Sequence, residues 1–189
     1  LVEPVSNGLG SDAFCILSDG HKLHGLNGSG CSPHAWTPDY FRRKYGAAAR
    51  TPPQRGMDSV TVPGAVGSWV AMSERFGKLP FADLMAPAIE TAERGYLIPP
   101  VVQGKWAAAA PLLNLQPGFA RAFLPWGHAP EVGDLFRFAA AARAFKAIAA
   151  TRGEAFYHGE IADAIEKFST ANGGSLKASD LAAWKPEWV

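Results

Sequence analysis

Residues 13–27 read AFCILSDGHKLHGLN. An apolar run rich in strand formers meets the strong turn pair Asp19-Gly20, and HKLHGLN runs back, so a β-hairpin is expected here. Strand alternation would put His21 and Leu23 on one face of the return strand, with Lys22 and His24 on the other. Both histidines are expected at the surface. Cys15 lies mid-strand and reads as a small buried hydrophobe. Just upstream, NGLGSD (7–12) carries a G-x-G pair without the rest of a dinucleotide fingerprint or its βαβ setting. It is read as a tight backbone bend, which glycine permits by adopting positive φ.

Downstream of the hairpin comes GLNGSGCSP (25–33), a glycine-rich turn around Cys31, one of two cysteines in the chain. The thiol could serve there as nucleophile, metal ligand, disulfide half or replacement for another residue. From residue 37 the text becomes helical. Thr37-Pro38 is an N-cap followed by proline at the first helical position, and the helix should stop at Gly46. DSVTVPG (58–64) reads as a short strand. AVGSWVAMSERFG (65–77) should be a helix with Val66, Trp69, Val70 and Ser73 on one stripe. In residues 80–95 the stripe is Leu84, Ala88 and Ala92, with Met85 and Ile89 beside it. Pro87 lies inside that helix and Pro111 should limit the next one, in residues 99–115. Residues 133–153 place Leu135, Phe138, Ala142, Phe145 and Ile148–Ala149 along one face. Residues 159–174 point Ile161, Ile165 and Phe168 inward, and Ser179-Asp180 caps the last helix. A hairpin followed by a helical layer is α+β rather than alternating βαβ.

Composition narrows the function classes. The chain has 189 residues, 48% of them hydrophobic and 19% charged, enough to build a core. Eighteen Lys and Arg against 17 Asp and Glu leave a net charge of +1, which argues for neither a nucleic-acid partner nor a polybasic membrane patch. The apolar runs at 107–110 and 138–142 are too short to span a bilayer. The abrupt apolar ends suit one piece of a larger or cleaved protein.

Chemistry-bearing residues form no complete set. His21 and His24 would pair on a metal only on a helix, and no Cys or carboxylate cluster joins them, so no metal is expected. No G-x-S-x-G elbow is present. Cys31 as nucleophile needs a base, for which His34 is the near candidate. Glu90 with Glu93, and Glu154 with Glu160, read as solvated helix surface without partners.

Five collinear stretches carry a resemblance: VEPVSNGLGSDAFCIL (2–17), LNGSGCSP (26–33), VPGAVGSWVAMSERFGKLPFADLMAPAIETAERGY (62–96), EAFYHGEIADAI (154–165) and GGSLKASDLAAWKPEW (173–188). In order, they resemble the large-subunit region of the gamma-glutamyltranspeptidase family over nearly the whole chain. The resemblance implies an α+β fold, the αββα sandwich of N-terminal nucleophile hydrolases, completed by a second subunit or segment. Residues 1–189 would then be the large-subunit part of one such domain, with hairpin and substrate loop in 1–36 and the helical layer in 37–189. It also implies a precursor that cuts itself, a small-subunit partner whose new N-terminal Thr is the nucleophile, and no cofactor. No catalytic residue is expected within this chain, and neither Thr61 nor Thr170 sits in the family's cleavage motif. Family members are often periplasmic or secreted; the composition leaves a cytoplasmic site open.

The large subunit of the family supplies an arginine that grips the α-carboxylate of the substrate, a task suited to a bidentate, permanently charged guanidinium. Aligned on Pro33, the motif F-R-E-x-A-P puts that arginine at Ser29; the branch with N-G-S-G-R-A-P puts it at Cys31. Neither is arginine here. The expected substrate-binding set is Asn27, Ser29, Gly30 and Cys31. The expected substrate is a small acyl amide: a γ-glutamyl amide such as glutathione, if Arg42, Arg43 or Arg55 replaces the missing cation. Two alternatives are another acyl amide, as in the cephalosporin acylases, and a binding homologue that has lost catalysis.

Overall fold

The computed structural model describes residues 1–189. In chain order the elements are β1 (Ala13–Ser18), β2 (Leu23–Gly28), α1 (Pro38–Tyr45), α2 (Ala65–Phe76), α3 (Phe81–Arg94), β3 (Tyr96–Leu97), α4 (Pro100–Leu113), α5 (Phe119–Phe123), β4 (Leu135–Phe136), α6 (Ala139–Thr151), α7 (Glu154–Tyr157), α8 (Glu160–Ala171), α9 (Ala178–Ala183) and β5 (Glu187–Trp188). They form two compact units, one of Leu9–Lys78 with Thr151–Val189, the other of Leu1–Gly8 with Leu79–Ala150.

In the first unit, β1 and β2 pair antiparallel from Ala13↔Gly28 to Ser18↔Leu23. The turn forms as its residues demand: Asp19 Oδ1 accepts from the amides of His21 and Lys22, and Gly20 takes φ 91°. β5 adds to the other edge of β2, with Leu26 opposite Trp188 and Asn27 opposite Glu187. Helix α2 packs on β1 and β2, and α7, α8 and α9 pack on one another. Thr37 caps α1 as expected, its hydroxyl accepting from the Tyr40 amide at 3.1 Å. The core of this unit includes Leu26, Val62, Val66, Phe156, Leu176 and Leu181.

Several expectations for this unit need correction. His24 is not at the surface: it is 8% exposed, 2.8 Å from Asp19 Oδ2 through Nε2 and 3.3 Å from Arg75 through Nδ1. Arginine only donates, so Nδ1 accepts, and Nε2 bears the N–H that donates to Asp19 Oδ2. The hydrogen bond from His24, then those from the His21 and Lys22 amides, hold the Asp19 carboxyl well below the usual carboxylate range. Cys15 is half-buried. Residues 58–64 are not a strand. Met57–Ser59 form a 3-10 turn that carries the Asp58 side chain inward. Beyond it Val62 N donates to Cys31 O and Gly64 N to Ser11 O, two different partners, and Pro63 between them has no N–H to continue a ladder. Phe168 is 41% exposed although it lies on the expected stripe, and Ala162 and Ser169 are buried instead. Asp180 sits inside the first turn of α9 rather than at its cap, where its Oδ2 accepts from the Lys177 amide. Neither Gly8 nor Gly10 adopts positive φ.

The second unit is built on aromatic packing. Ile98, Val102, Trp106, Leu124, Ala129 and Phe136 form a buried cluster. Trp106 lies edge-on to Phe136 at 4.9 Å and donates its indole N–H to Phe123 O, so its one polar atom is satisfied. The short β3–β4 pair, Tyr96↔Phe136 and Leu97↔Leu135, had no periodic signal; Leu135 therefore lies in a strand, outside α6. Along α6, Ala142, Phe145, Ile148 and Ala149 are buried as expected. On α3 the buried side is Phe81, Met85 and Ala92, while Leu84 is exposed. Pro111 lies inside the last turns of α4 instead of ending it. Glu90 and Glu93 have partners, Arg94 and Lys146, in exposed pairs of the kind that contribute about 0–1 kcal/mol. No helix is long and apolar enough to cross a membrane.

Candidate functional site

Asn27, Ser29, Gly30 and Cys31 come together in the turn that leaves β2. Gly28, the last residue of β2, has no room for a side chain. A Cβ there would lie 1.9 Å from Ser68 Oγ and 2.6 Å from Ala13 O. Asn27 then turns the chain locally, its Oδ1 accepting from the Ser29 amide at 3.0 Å, an Asx-turn.

From there the backbone is tied at Ser29, Gly30, Cys31 and His34, by three segments that lie far apart in sequence. Trp184 Nε1 donates to Ser29 O at 3.0 Å. Gly30 N donates to Asp12 Oδ1 at 2.8 Å. Val62 N donates to Cys31 O at 2.9 Å. His34 N donates to Asp180 Oδ1 at 3.0 Å. Pro33 is buried, whereas the side chains of Asn27, Ser29, Cys31 and Ser32 face solvent. The result is a rigid turn with its side chains outward, the arrangement expected of a loop that presents groups to a ligand.

The chemistry of the turn is sparse. Cys31 is a free, exposed thiol, and its Sγ has no hydrogen-bond partner. His34 is tied through its backbone alone, so no thiol–imidazole pair exists to make Cys31 a nucleophile. Ser29 Oγ makes one long contact, 3.5 Å to Gly30 O. Of the arginines considered as replacement cations, Arg42 is paired with Asp39 on the surface of α1 at 3.0 Å. No hydrogen bond or ion pair ties Arg42, Arg43 or Arg55 to the turn. Its charged supports are two aspartates, each occupied by backbone N–H groups.

Asp12, Trp184 and Asp180 were not singled out from the sequence as parts of this site. The available signal was indirect. Asp12, the V-P-G stretch and the D-L-A-A-W stretch all belong to the blocks that carry the family resemblance, and in space these blocks meet on the turn.

Two other clusters deserve comparison. Asp58, 2% exposed, accepts from Tyr40 OH at 2.8 Å, Tyr45 OH at 2.7 Å and Lys44 Nζ at 2.5 Å. Burial works to raise its carboxyl, but the bonds from Lys44, Tyr45 and Tyr40 outweigh it and hold the group below its ordinary value. Burial likewise works against the Lys44 ammonium, and its bonds to Asp58 and Tyr40 prevail and raise it. Every polar atom here is occupied, which is a structural knot. A cleft of about 490 Å³ is lined by Tyr157, Trp184, Glu154, His158, Arg152 and Glu74 among others. Its carboxylates also have partners: Glu154 lies 3.9 Å from His158, and Glu74 lies 3.4 Å from Arg152. Glu154, expected without a partner, therefore has one. No group of three or more His, Cys, Asp or Glu side chains is placed to hold a metal.

Comparison with known proteins gives this geometry a context. A family model described as gamma-glutamyltranspeptidase matches residues 1–189. A solved structure of cephalosporin acylase from Bacillus halodurans superposes with a TM-score of 0.93 at 42% identity, covering 100% of this chain and 36% of that one. The glutathione hydrolase-like YwrD proenzyme of Bacillus subtilis is 32% identical over 192 residues, covering 100% of this chain and 36% of its own length. The acylase ACY 1 proenzyme of Pseudomonas sp. strain V22 is 36% identical over 132 residues, 70% of this chain and 24% of its own length. The chain thus spans about a quarter to a third of these proteins.

Proposed function

The chain belongs to the gamma-glutamyltranspeptidase family and has the mixed α/β fold of part of its N-terminal nucleophile hydrolases; from that premise we propose that it is the large-subunit segment of an amide-cleaving hydrolase or acyltransferase. The observation that carries this reading is the tied turn at 27–34. It exposes Asn27, Ser29 and Cys31 on a rigid backbone yet contains no nucleophile–base pair. It is built to hold an acyl group while a nucleophile elsewhere attacks it.

In this reading the nucleophile is the N-terminal Thr of a small subunit, whose own amine acts as base. Proenzyme names among the relatives support a precursor that is cut into two chains. An apolar sheet face gives further support. Phe14, Ile16 and Leu23 share the face of β1–β2 opposite Leu26, and they are 70%, 83% and 68% exposed. So much apolar surface on one side of a sheet suits a second sheet packed against it.

For the substrate, the first reading is a γ-glutamyl amide such as glutathione, in line with the glutathione hydrolase names among the relatives. A second reading, an acyl amide lacking the α-carboxylate, is favoured by a specific observation: neither Ser29 nor Cys31 is arginine, and the direct supports of the turn are acidic or neutral. The likeness to cephalosporin acylase points the same way.

Full-length protein assayed on a γ-glutamyl anilide and on a glutaryl amide separates the two readings. If the carboxylate argument holds, Cys31→Arg raises γ-glutamyl kcat/KM by roughly tenfold or more, the order of one charge-assisted hydrogen-bonded pair. Unchanged γ-glutamyl turnover in that variant contradicts it. Absence of cleavage of either amide contradicts the proposed function.

A further inference from the structure

We propose that Trp184 is a positioning residue for the substrate turn, fixing the Ser29–Gly30 peptide through its indole N–H; this rests on the reading of residues 27–34 as the substrate loop.

The indole has little freedom. Trp184 is 9% exposed and stacks on Tyr157 with ring centroids 5.5 Å apart and planes at 18°. Tyr157 is itself immobilised. Its hydroxyl donates to Pro63 O at 2.8 Å and accepts from Gly67 N at 3.0 Å. The edge of the indole is seated against two glycines. A Cβ on Gly64 would lie 2.9 Å from Cζ2, and one on Gly67 would lie 2.6 Å from Cζ3. With one face stacked and one edge enclosed, Nε1 is held on the Ser29 carbonyl, 3.0 Å away.

That carbonyl begins the peptide whose N–H, on Gly30, is held by Asp12 Oδ1 at 2.8 Å. The two bonds grip opposite ends of one peptide plane, so its rotation requires both to break. Because Ser29 and Cys31 flank this peptide and its neighbour, its plane sets the direction of both exposed side chains. The Tyr157–Trp184 pair therefore acts on substrate binding from beneath the loop without touching the substrate. In the bound complex its contribution is preorganisation, which appears in KM rather than in bond cleavage.

The test uses the full-length protein carrying Cys15→Ala, so that Cys31 is the cysteine of this segment that takes a nitroxide spin label. Any cysteine elsewhere is replaced likewise. Trp184→Phe keeps an aromatic ring on Tyr157 and removes the donor. A second variant places benzothienylalanine at 184, which preserves the bicyclic shape and replaces N–H by sulfur, so a folding defect of the phenylalanine variant does not decide the matter. The expected result is a more mobile label in both variants. In the unlabelled enzymes KM rises by about tenfold, the order of one hydrogen bond, while kcat changes by less than about twofold. An unchanged spectrum in the benzothienylalanine variant overturns the proposal, as does an unchanged KM beside a loosened label. If the label loosens but the parent protein cleaves no amide, the positioning contact stands and the proposed function falls.

Discussion

Replacing Gly30 by alanine is expected to dislodge the 27–34 turn and lower stability by about 3 kcal/mol, the upper range for a forced insertion into packed structure. The added Cβ would lie 1.8 Å from Val62 O and 2.9 Å from Val62 C. Both are backbone atoms, so no side chain can swing aside. Relief requires the turn and residues 60–64 to separate, which also breaks the bond from Val62 N to Cys31 O. Gly30 does not have positive φ, so lost space rather than backbone strain is the cause. Gly10→Ala is the matched control, with nothing within 4 Å of its Cβ, and it should stay within about 0.5 kcal/mol of the parent. Urea unfolding of both variants measures the difference. Equal midpoints would mean that the close packing of the turn is not what holds it.

Asp58→Asn should cost roughly 1–3 kcal/mol, because it takes the charged acceptor from three donors at a buried side chain, while the Lys44 ammonium keeps partial access to water. The carboxylate receives three donors, and an amide presents its NH₂ to one of the tyrosine or lysine donors in place of an acceptor. The pH dependence follows from the directions of the shifts. The Asp58 carboxyl is held below its ordinary value. Its contribution is therefore complete above about pH 4, where the unfolded group is ionised, and is lost as pH falls through the lower folded value. The Lys44 ammonium is raised, so its contribution is complete below about pH 10 and is lost as pH rises through the higher folded value. The stability gap between parent and Asp58→Asn should be flat through neutral pH, close in acid and narrow in strong alkali. Urea midpoints across that range check it; a gap that persists in acid contradicts the ion-pair account.

What could be read beforehand was local. The Asp19-Gly20 turn and the Thr37 cap involve groups within three residues of one another, and both formed as their residues require. Helix existence also followed from periodicity, but the buried face did not always do so. Leu84 and Phe168 lie on apolar stripes and are nevertheless exposed, because periodicity marks an apolar side without saying which side is covered. The two-residue strands β3, β4 and β5 are too short for any period to register. His24 changed from surface residue to buried one because its partner Arg75 lies 51 residues away.

The candidate site divides in the same way. The turn itself was legible from its glycines, its proline and the family motif. Its supports were not, since the bonds from Trp184 to Ser29 and from His34 to Asp180 span 155 and 146 residues. Nothing local marks Trp184 as a donor to a loop so far away. The shared membership of these residues in the motif blocks was the one available hint, and three-dimensional proximity is its physical meaning.

The most direct test of the account is the intact mass of the full-length protein after purification. The proposal predicts two fragments whose masses add up to the precursor plus one water, the second beginning with threonine and generated without added protease. Replacement of that threonine by alanine should leave one uncut chain that cleaves no amide. A single uncut chain from the unaltered sequence, inactive on every acyl amide tried, would contradict the assignment of this segment to a self-processing hydrolase.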